Sequence, residues 1–442
     1  MKKVLPVFVI VVIDLLGLTI IIPLMPLYAA SFGANPFMIG LLGAAYPITQ
    51  FIGAPLLGRF SDRWGRRPIL LISQIGTLIG FLILGLSDAL WLLFLARMVD
   101  GISGANIATA QAVISDVTNE KTRTQGLGLI GAAFGIGFVI GPVLAFVALA
   151  LSGNNYHVPA FVAAAFSAAS IAMTWFLLPE THPAHSDYGG SSEGAGLTIK
   201  AMLQALRMPQ IGALLGLMFM QQIAFGGFEQ LLSLFTLERL GLNASGNSVI
   251  FVFVGVLVVA VQGGFIGPWS RRWGDRRLVY SGLLALAVGL TLMSFTPNRP
   301  VPWYSRQAMT KELQTSGNSR THENPSTQNV GVKLPPDTHN GWTGLGWLLV
   351  AMIPTAIGGG ILQPSINSML TKRVVAGETG GILGISSALL SGANAIAPVF
   401  GGALFDVFNA SMPFLVFGII MAVLFAVALR WIHPEQTAPG GA

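Results

Sequence analysis

Asp14, Arg97 and Asp100 are the charged residues that demand a chemical reason, because each stands inside an apolar run long enough to cross a bilayer. A charge at the bilayer centre costs about 2.5–3.5 kcal/mol on insertion scales and marks a functional position by default. Arg97 and Asp100 are three residues apart, so on a helix they share a face and can neutralise each other. A purely structural ion pair would have the same spacing. Asp14 is followed by Gly17, Pro23 and Pro26. An acid so placed must be protonated or paired. A group that loses its proton on one side of a membrane and regains it on the other is what a proton carrier requires. The competing reading ties Asp14 to Arg97 or to a helix-breaking turn. Further polar residues inside apolar runs are candidates for lining a substrate path: Glu229 with Gln221, Gln222 and Gln230, then Gln262, Gln363, Asn367 and Asn394.

The elements that must carry these residues are membrane helices. Charged residues make up 10% of the chain and hydrophobic ones 53%, and mean hydropathy is +0.70. A soluble domain carries about 25% charged residues. A span needs about 20 apolar residues. On that basis the sequence predicts an all-α membrane protein with twelve spans, near 4–29, 37–57, 68–87, 89–111, 125–150, 157–178, 209–236, 246–268, 277–296, 343–368, 380–405 and 411–431. The first span resembles a signal peptide superficially, but it is too long for a typical apolar signal region and contains Asp14. Residues 179–208 read as a polar linker between a six-helix bundle over 1–178 and a second over 209–432, with a tail at 433–442. Residues 297–342 form a polar insertion without helical or strand periodicity, of the composition that is usually disordered.

Lys and Arg set the orientation. Of 24, Arg97 is within a span, and six fall on one side: Arg239 and five in the 297–342 insertion. The other 17 fall on the opposite side, which is therefore expected to be cytoplasmic together with both termini. The net charge of +6 is thus a topology signal, and no nucleic-acid partner is implied. There are no cysteines, which excludes disulfides, thiolate catalysis and Cys-based metal sites. A phosphate-binding loop and a hydrolase motif are both missing, so neither ATP drive nor an enzyme is expected, and no metal or cofactor. The six histidines fall at span ends or in loops. Any proton coupling falls to carboxylates.

A short basic hinge occurs twice, 209 residues apart: Gly58 to Arg67, containing Ser61-Asp62-Arg63-Trp64-Gly65-Arg66-Arg67, and Gly267 to Arg277, containing Ser270-Arg271-Arg272-Trp273-Gly274-Asp275-Arg276. Such internal repetition is a hallmark of secondary transporters. Gly58 and Gly65 permit a sharp turn, and the arginines suit an anionic leaflet. Gly131, Gly135, Gly137 and Gly141, followed by Pro142, recur at spacings that let another helix approach closely.

These motifs resemble the major facilitator superfamily, whose signature after the second helix is G-x-x-x-D-R-x-G-R-R. The first hinge matches it throughout, at Gly58, Asp62, Arg63, Gly65, Arg66 and Arg67, and the second copy is degraded, as in that family. The resemblance implies that Asp62 meets the start of helix eleven, that Arg66 meets Asp116 at the end of helix four, and that these contacts latch the outward-facing state. It further implies a role in proton transfer for Arg97, and an antiporter helix carrying Gly137, Gly141 and Pro142. The family's paired glycines after that proline are replaced by Ala145-Phe146. The drug/proton antiporters, and the tetracycline efflux group within them, are most similar, over Asp14 to Pro26 and Ala133 to Gly137. Tetracycline pumps carry acids inside helices three and nine, and spans 68–87 and 277–296 here have none; Asp100 is a possible substitute. The expectation is a monomeric antiporter in the bacterial inner membrane, exchanging protons for a lipophilic small molecule. An uptake or lipid carrier of the same fold and a non-transporting scaffold working through 297–342 are the alternatives.

Overall fold

Prolines and glycines decide where the long apolar helices break. The computed structural model describes residues 4–104, 106–117, 120–181, 204–317, 331–373 and 379–431. In the first span α1 (Val4–Ile21) and α2 (Met25–Ser31) meet at 41°. Pro23 and Pro26 each remove an N–H from the helical ladder, which accounts for the bend. The carbonyl of Pro23 is taken up from the other half of the molecule, where the Ser233 hydroxyl donates to it at 2.9 Å. Next come α3 (Pro36–Trp64) and α4 (Arg66–Gly85), separated by Gly65. The fourth expected span is not one helix: α5 (Leu90–Ser103) stops before Gly104, and α6 (Asn106–Val117) follows. The Gly104 carbonyl is satisfied by the Gln50 side-chain amide at 2.8 Å, as a break inside a membrane requires.

The first half ends with α7 (Glu120–Leu151) and α8 (His157–Leu177). The second begins with α9 (Pro209–Leu240) and α10 (Ala244–Ala260), which runs through a π-helical turn at Val261–Phe265 into α11 (Ile266–Trp273). That turn contains Gly263-Gly264, and such bulges bend a helix. It continues with α12 (Asp275–Ser294), α13 (Arg306–Gly317), α14 (Thr343–Thr371), α15 (Thr379–Val407) and α16 (Met412–Trp431). Among the described residues ten helices are long and apolar enough to span, eleven with the bent α1–α2 pair. The divided α5–α6 stands where the fourth expected segment falls, so the helices are consistent with the twelve spans expected.

Two helix pairs make the most extensive contact between the halves: α3 with α15, and α7 with α10. The contact is tightest away from the hinges. A methyl added to Gly40 would sit 2.2 Å from the Pro398 carbonyl oxygen, and one on Gly402 would sit 2.7 Å from that of Pro36. Gly255 is similarly placed 2.6 Å from the Phe138 carbonyl. Toward the hinges the contact is lost. Gly58, Gly263, Gly264 and Gly274 have open space around them, and Phe60, Trp64, Phe265 and Trp273 are exposed. The bundle is closed on the far face and open on the hinge face.

The insertion differs from expectation. It is not a structureless loop: α13 lies within it and packs on α2. Val301 and Leu313 are fully buried, Tyr304 and Met309 nearly so. A sparse set of apolar residues among polar ones escapes a periodicity search, yet it suffices once an existing surface receives it.

The far-face seam gives a direct test. Gly40→Ala is expected to lower the thermal unfolding midpoint in detergent, since overpacking costs about 1–3 kcal/mol. Gly216→Ala, in open space, should not lower it.

Candidate functional site

Close helix approach makes room for a buried charge pair in the first half. A methyl on Gly80 of α4 would meet the Asp100 Cβ at 2.9 Å, and one on Gly101 would lie 2.0 Å from Thr49 Oγ1. Asp100, 3% exposed, is held between these helices. Arg97 Nη1 donates to Asp100 Oδ2 at 2.9 Å, and Thr77 of α4 stands beside the same carboxylate around a small cavity. The guanidinium lies 4.5 Å from the centre of the Tyr46 ring. A cation over an aromatic face contributes up to about 2 kcal/mol when desolvated. Gln50 donates to the Tyr46 hydroxyl at 3.0 Å, which links the ring to the Gly104 break.

Asp14 of α1 faces the same space. A cavity of about 20 Å³ is lined by Asp14, Leu15, Leu18, Tyr46, Thr77, Asp100 and Gly104. One water needs roughly 10–15 Å³ measured in this way, so a water fits between the two carboxylates. A second small cavity continues from Asp14 past Val7, Leu70 and Gln74. The expected trio of Asp14, Arg97 and Asp100 is therefore assembled, with Asp14 on α1 and the pair on α5. Tyr46, Gln50 and Thr77 complete it and were missed from the sequence. Tyr46 and Gln50 are four residues apart on α3, a polar stripe that was the available signal.

The expected substrate-path residues are not gathered into this site. Gln222 donates to Asn394 at 2.8 Å between α9 and α15, and Asn367 accepts from Ser386 at 3.4 Å. Glu229 and Gln363 are half-buried, and Gln262 is exposed on the π-helical turn. None of these lines either of the two cavities around Asp14.

At the hinge Arg66 Nε binds Asp116 Oδ2 at 3.1 Å, joining the start of α4 to the end of α6. The turn needs Gly65, whose φ of 101° strains any L-residue with a side chain. Glu180, which the sequence reading passed over, accepts from the backbone N–H groups of Arg66 at 2.9 Å and Arg67 at 3.1 Å. A carboxylate at a helix N-terminus satisfies free donors and opposes the positive end of the helix dipole. The expected contact of Asp62 with the start of helix eleven lies outside the described residues. Arg63 is exposed and Gly58 has free space. In the second copy Asp275 takes the place of Arg66. It binds Lys372 Nζ at 2.7 Å and accepts from Ser368 at 2.6 Å.

The glycine series in α7 is a packing seam. Methyls on Gly137 and Gly141 would contact Thr19 of α1, at 3.4 Å and 2.1 Å, and one on Gly135 would contact Val259 of α10 at 3.4 Å. Pro142 lies inside α7 without interrupting it.

Known proteins resemble this chain along most of its length. The tetracycline resistance protein, class C, of Escherichia coli is 26% identical over 89% of this chain and 87% of its own length. The class E protein of Escherichia coli is 33% identical over 68% of this chain and 74% of its own. Multidrug resistance protein 1 of Bacillus subtilis (strain 168) is 24% identical over 96% and 95%. Among solved structures, the human organic anion transporter MFSD10 (TETRAN) superposes with a TM-score of 0.64 at 20% identity, covering 97% of this chain and 99% of that one. The nucleoside transporter NupG does so with 0.72 at 13% identity, covering 98% and 100%. The family profile of the Major Facilitator Superfamily matches residues 7–310 and 338–442. With its all-helical membrane fold, duplicated hinge and matching profile, the chain belongs to the Major Facilitator Superfamily and is a transporter.

Proposed function

We propose that this transporter is a proton-coupled exporter of lipophilic small molecules, working by alternating access between its hinge face and its far face. The observation that carries the reading is the cavity shared by Asp14 and Asp100, with Arg97 bound to one of the two acids. Two carboxylates beside one cation are neutral with one proton between them, whichever acid holds it, and carry one net negative charge once that proton is released. When Asp14 takes a proton, Arg97 remains neutralised by Asp100. When Asp14 releases it, Arg97, bound to the other acid of the cavity, is a cation able to respond. Each charge moved across 100 mV contributes about 2.3 kcal/mol, so one or two protons support a useful substrate gradient. The apolar character of the spans and the relatives' roles in drug resistance favour an amphiphilic substrate. The missing acids in the third and ninth spans favour a compound other than tetracycline.

In this reading the hinge face is cytoplasmic, with both termini on that side of a bacterial inner membrane, and one chain is the working unit. Arg66–Asp116 and Asp275–Lys372 are both formed in this hinge-open state, so they act as latches between neighbouring segments within each half. Glu229, Gln222, Gln363 and Asn367 belong to the substrate surface of the second half, and Gln262 to its edge.

Two experiments test this. In liposomes holding a pH-sensitive dye, lipophilic drugs should trigger proton movement with the wild type, and Asp14→Asn should reduce it to background. Arg97→Ala should do the same, and Tyr46→Phe should retain it because the aromatic face is kept. Proton movement that persists in Asp14→Asn would overturn the coupling site. A charge-swap cycle tests the latch: Arg66→Asp and Asp116→Arg alone should slow transport. Together they should recover much of it, with a coupling energy of about 0.5–3 kcal/mol. Additive losses would exclude a direct interaction.

A further inference from the structure

We propose that the segment inserted between α12 and α14 is a lock on the far-face opening, and that Glu312 is the group that ties one half of the transporter to the other. The proposal rests on the alternating-access reading. The segment is anchored to the second half. The backbone N–H of Val301 donates to the Leu240 carbonyl at 3.0 Å, and that of Lys333 donates to Glu238 Oε1 at 3.0 Å. The Tyr304 ring covers Gly241. From that base α13 crosses to the first half and lies on α2.

There the Glu312 carboxylate collects donors from both halves. The Tyr156 hydroxyl donates to Oε1 at 3.0 Å, and the Asn154 side-chain amide donates to Oε2 at 3.2 Å. Both residues connect α7 to α8. The Asn243 amide, at the start of α10, donates to the same Oε2 at 3.2 Å. Asn154 has a φ of 61° and is the one non-glycine residue in the left-handed region among the described residues. Asparagine tolerates that conformation better than most residues. It also aims the side chain at its partners. The Ser245 hydroxyl of the second half donates to Asn154 Oδ1, and the Ser316 hydroxyl of α13 donates to the Asn154 carbonyl at 3.1 Å. Leu313, beside Glu312, is fully buried.

Opening the far face draws Asn154 and Tyr156 away from Asn243 and Ser245. The carboxylate must then give up donors on one side or the other, and hydrogen bonds to a charged group are the strong ones. Elsewhere on the far-face seam backbones pack directly on one another, and the Asp406 carboxylate accepts a single bond across it, from Asn35 at 3.4 Å, where Glu312 gathers three donors. The family profile does not match residues 311–337. The carboxylate therefore comes from a part of this chain outside the shared family body, and the lock is added to a transporter that the common fold already completes.

The chain has no cysteine, so spin labels can be placed without background at Leu151→Cys in the first half and Val407→Cys in the second, both exposed far-face positions. Their separation is measured in nanodiscs for the wild-type background and four variants. Glu312→Ala removes the carboxylate. Glu312→Gln keeps its volume and tests for mere misfolding. Asn154→Gly preserves the left-handed backbone and deletes the amide. The ratio of long to short distances should rise about ten-fold in Glu312→Ala and Asn154→Gly, the equivalent of one charge-assisted hydrogen bond. Glu312→Gln should fall between them and the wild type, and Lys311→Ala, on the exposed face of the same helix, should match the wild type. Unchanged distances in Glu312→Ala and Asn154→Gly would overturn the lock, as would an equal shift in Lys311→Ala. Because the readout is a distance, it stands apart from the transport reading. A shift without proton-coupled export would remove the proposed substrate chemistry and leave the lock.

Discussion

A guanidinium and a carboxylate are tolerated inside a membrane bundle when both are desolvated together, and the first half of this protein is arranged around that requirement. Arg97 is bound to Asp100 at 2.9 Å, and its cationic face is covered by Tyr46. The helices carrying these groups must approach to near backbone contact, which is why Gly80 and Gly101 stand where they do. The break at Gly104 follows from the same crowding: α5 ends against α3, and Gln50 occupies the freed carbonyl while holding Tyr46. Replacing one partner of such a pair leaves a buried charge, which costs far more than the pair itself contributes. Asp14 completes the arrangement as a second acid beside a single cation, and it gives the cluster more than one way to be neutral.

The internal repeat extends from sequence to interactions, with the charges reversed. Asp275 stands 209 positions after Arg66, and Lys372 stands 256 positions after Asp116. The excess over 209 is close to the length of the insertion that lies between them. The first half thus pairs a basic residue at the start of its third segment with an acid at the end of its fourth. The second half pairs an acid with a base at the equivalent sites. A coulombic contact is indifferent to such an exchange, provided both members change together. Divergence at the second hinge is therefore a swap that preserves the bond between neighbouring segments.

Legibility from sequence followed the range of the physical signal. Apolar runs of about 20 residues report a membrane span locally, so the segments and their order were evident. So was the pairing of Arg97 with Asp100, since three residues on a helix fix their proximity. Arg66 and Asp116, 50 residues apart, were paired through family resemblance. Glu180 at the start of α4 had no local signature at all, because a helix N-terminus accepts a carboxylate from anywhere in the chain. Tyr46 over Arg97 depended on how α3 meets α5, which hydropathy does not encode. The polar residues of the second half stood out as polar positions inside apolar runs, yet their grouping into Gln222–Asn394 and Asn367–Ser386 depended on helix rotation. The insertion was misread because disorder is a statement about average composition. A few residues such as Leu313, Val301 and Tyr304 fold it by finding a ready-made surface.

The two faces of the transporter are consequently held by different physics. On the hinge face, ion pairs join adjacent segments within each half and Glu180 caps α4. On the far face, glycine and proline backbones from opposite halves meet directly, with Gly40 against Pro398 and Gly402 against Pro36. Backbone packing of this kind is short-ranged and non-directional, so it closes a seam without fixing a unique register. Directional bonds supply the register: Ser233 to the Pro23 carbonyl, Asn35 to Asp406 at 3.4 Å, and the donors around Glu312. Among these, the bonds to Glu312 come from a segment outside the duplicated body. An internally repeated protein built from two similar halves has no inherent preference between its faces. A one-sided insertion that bridges the halves breaks that symmetry and biases the protein toward the state open at the hinges.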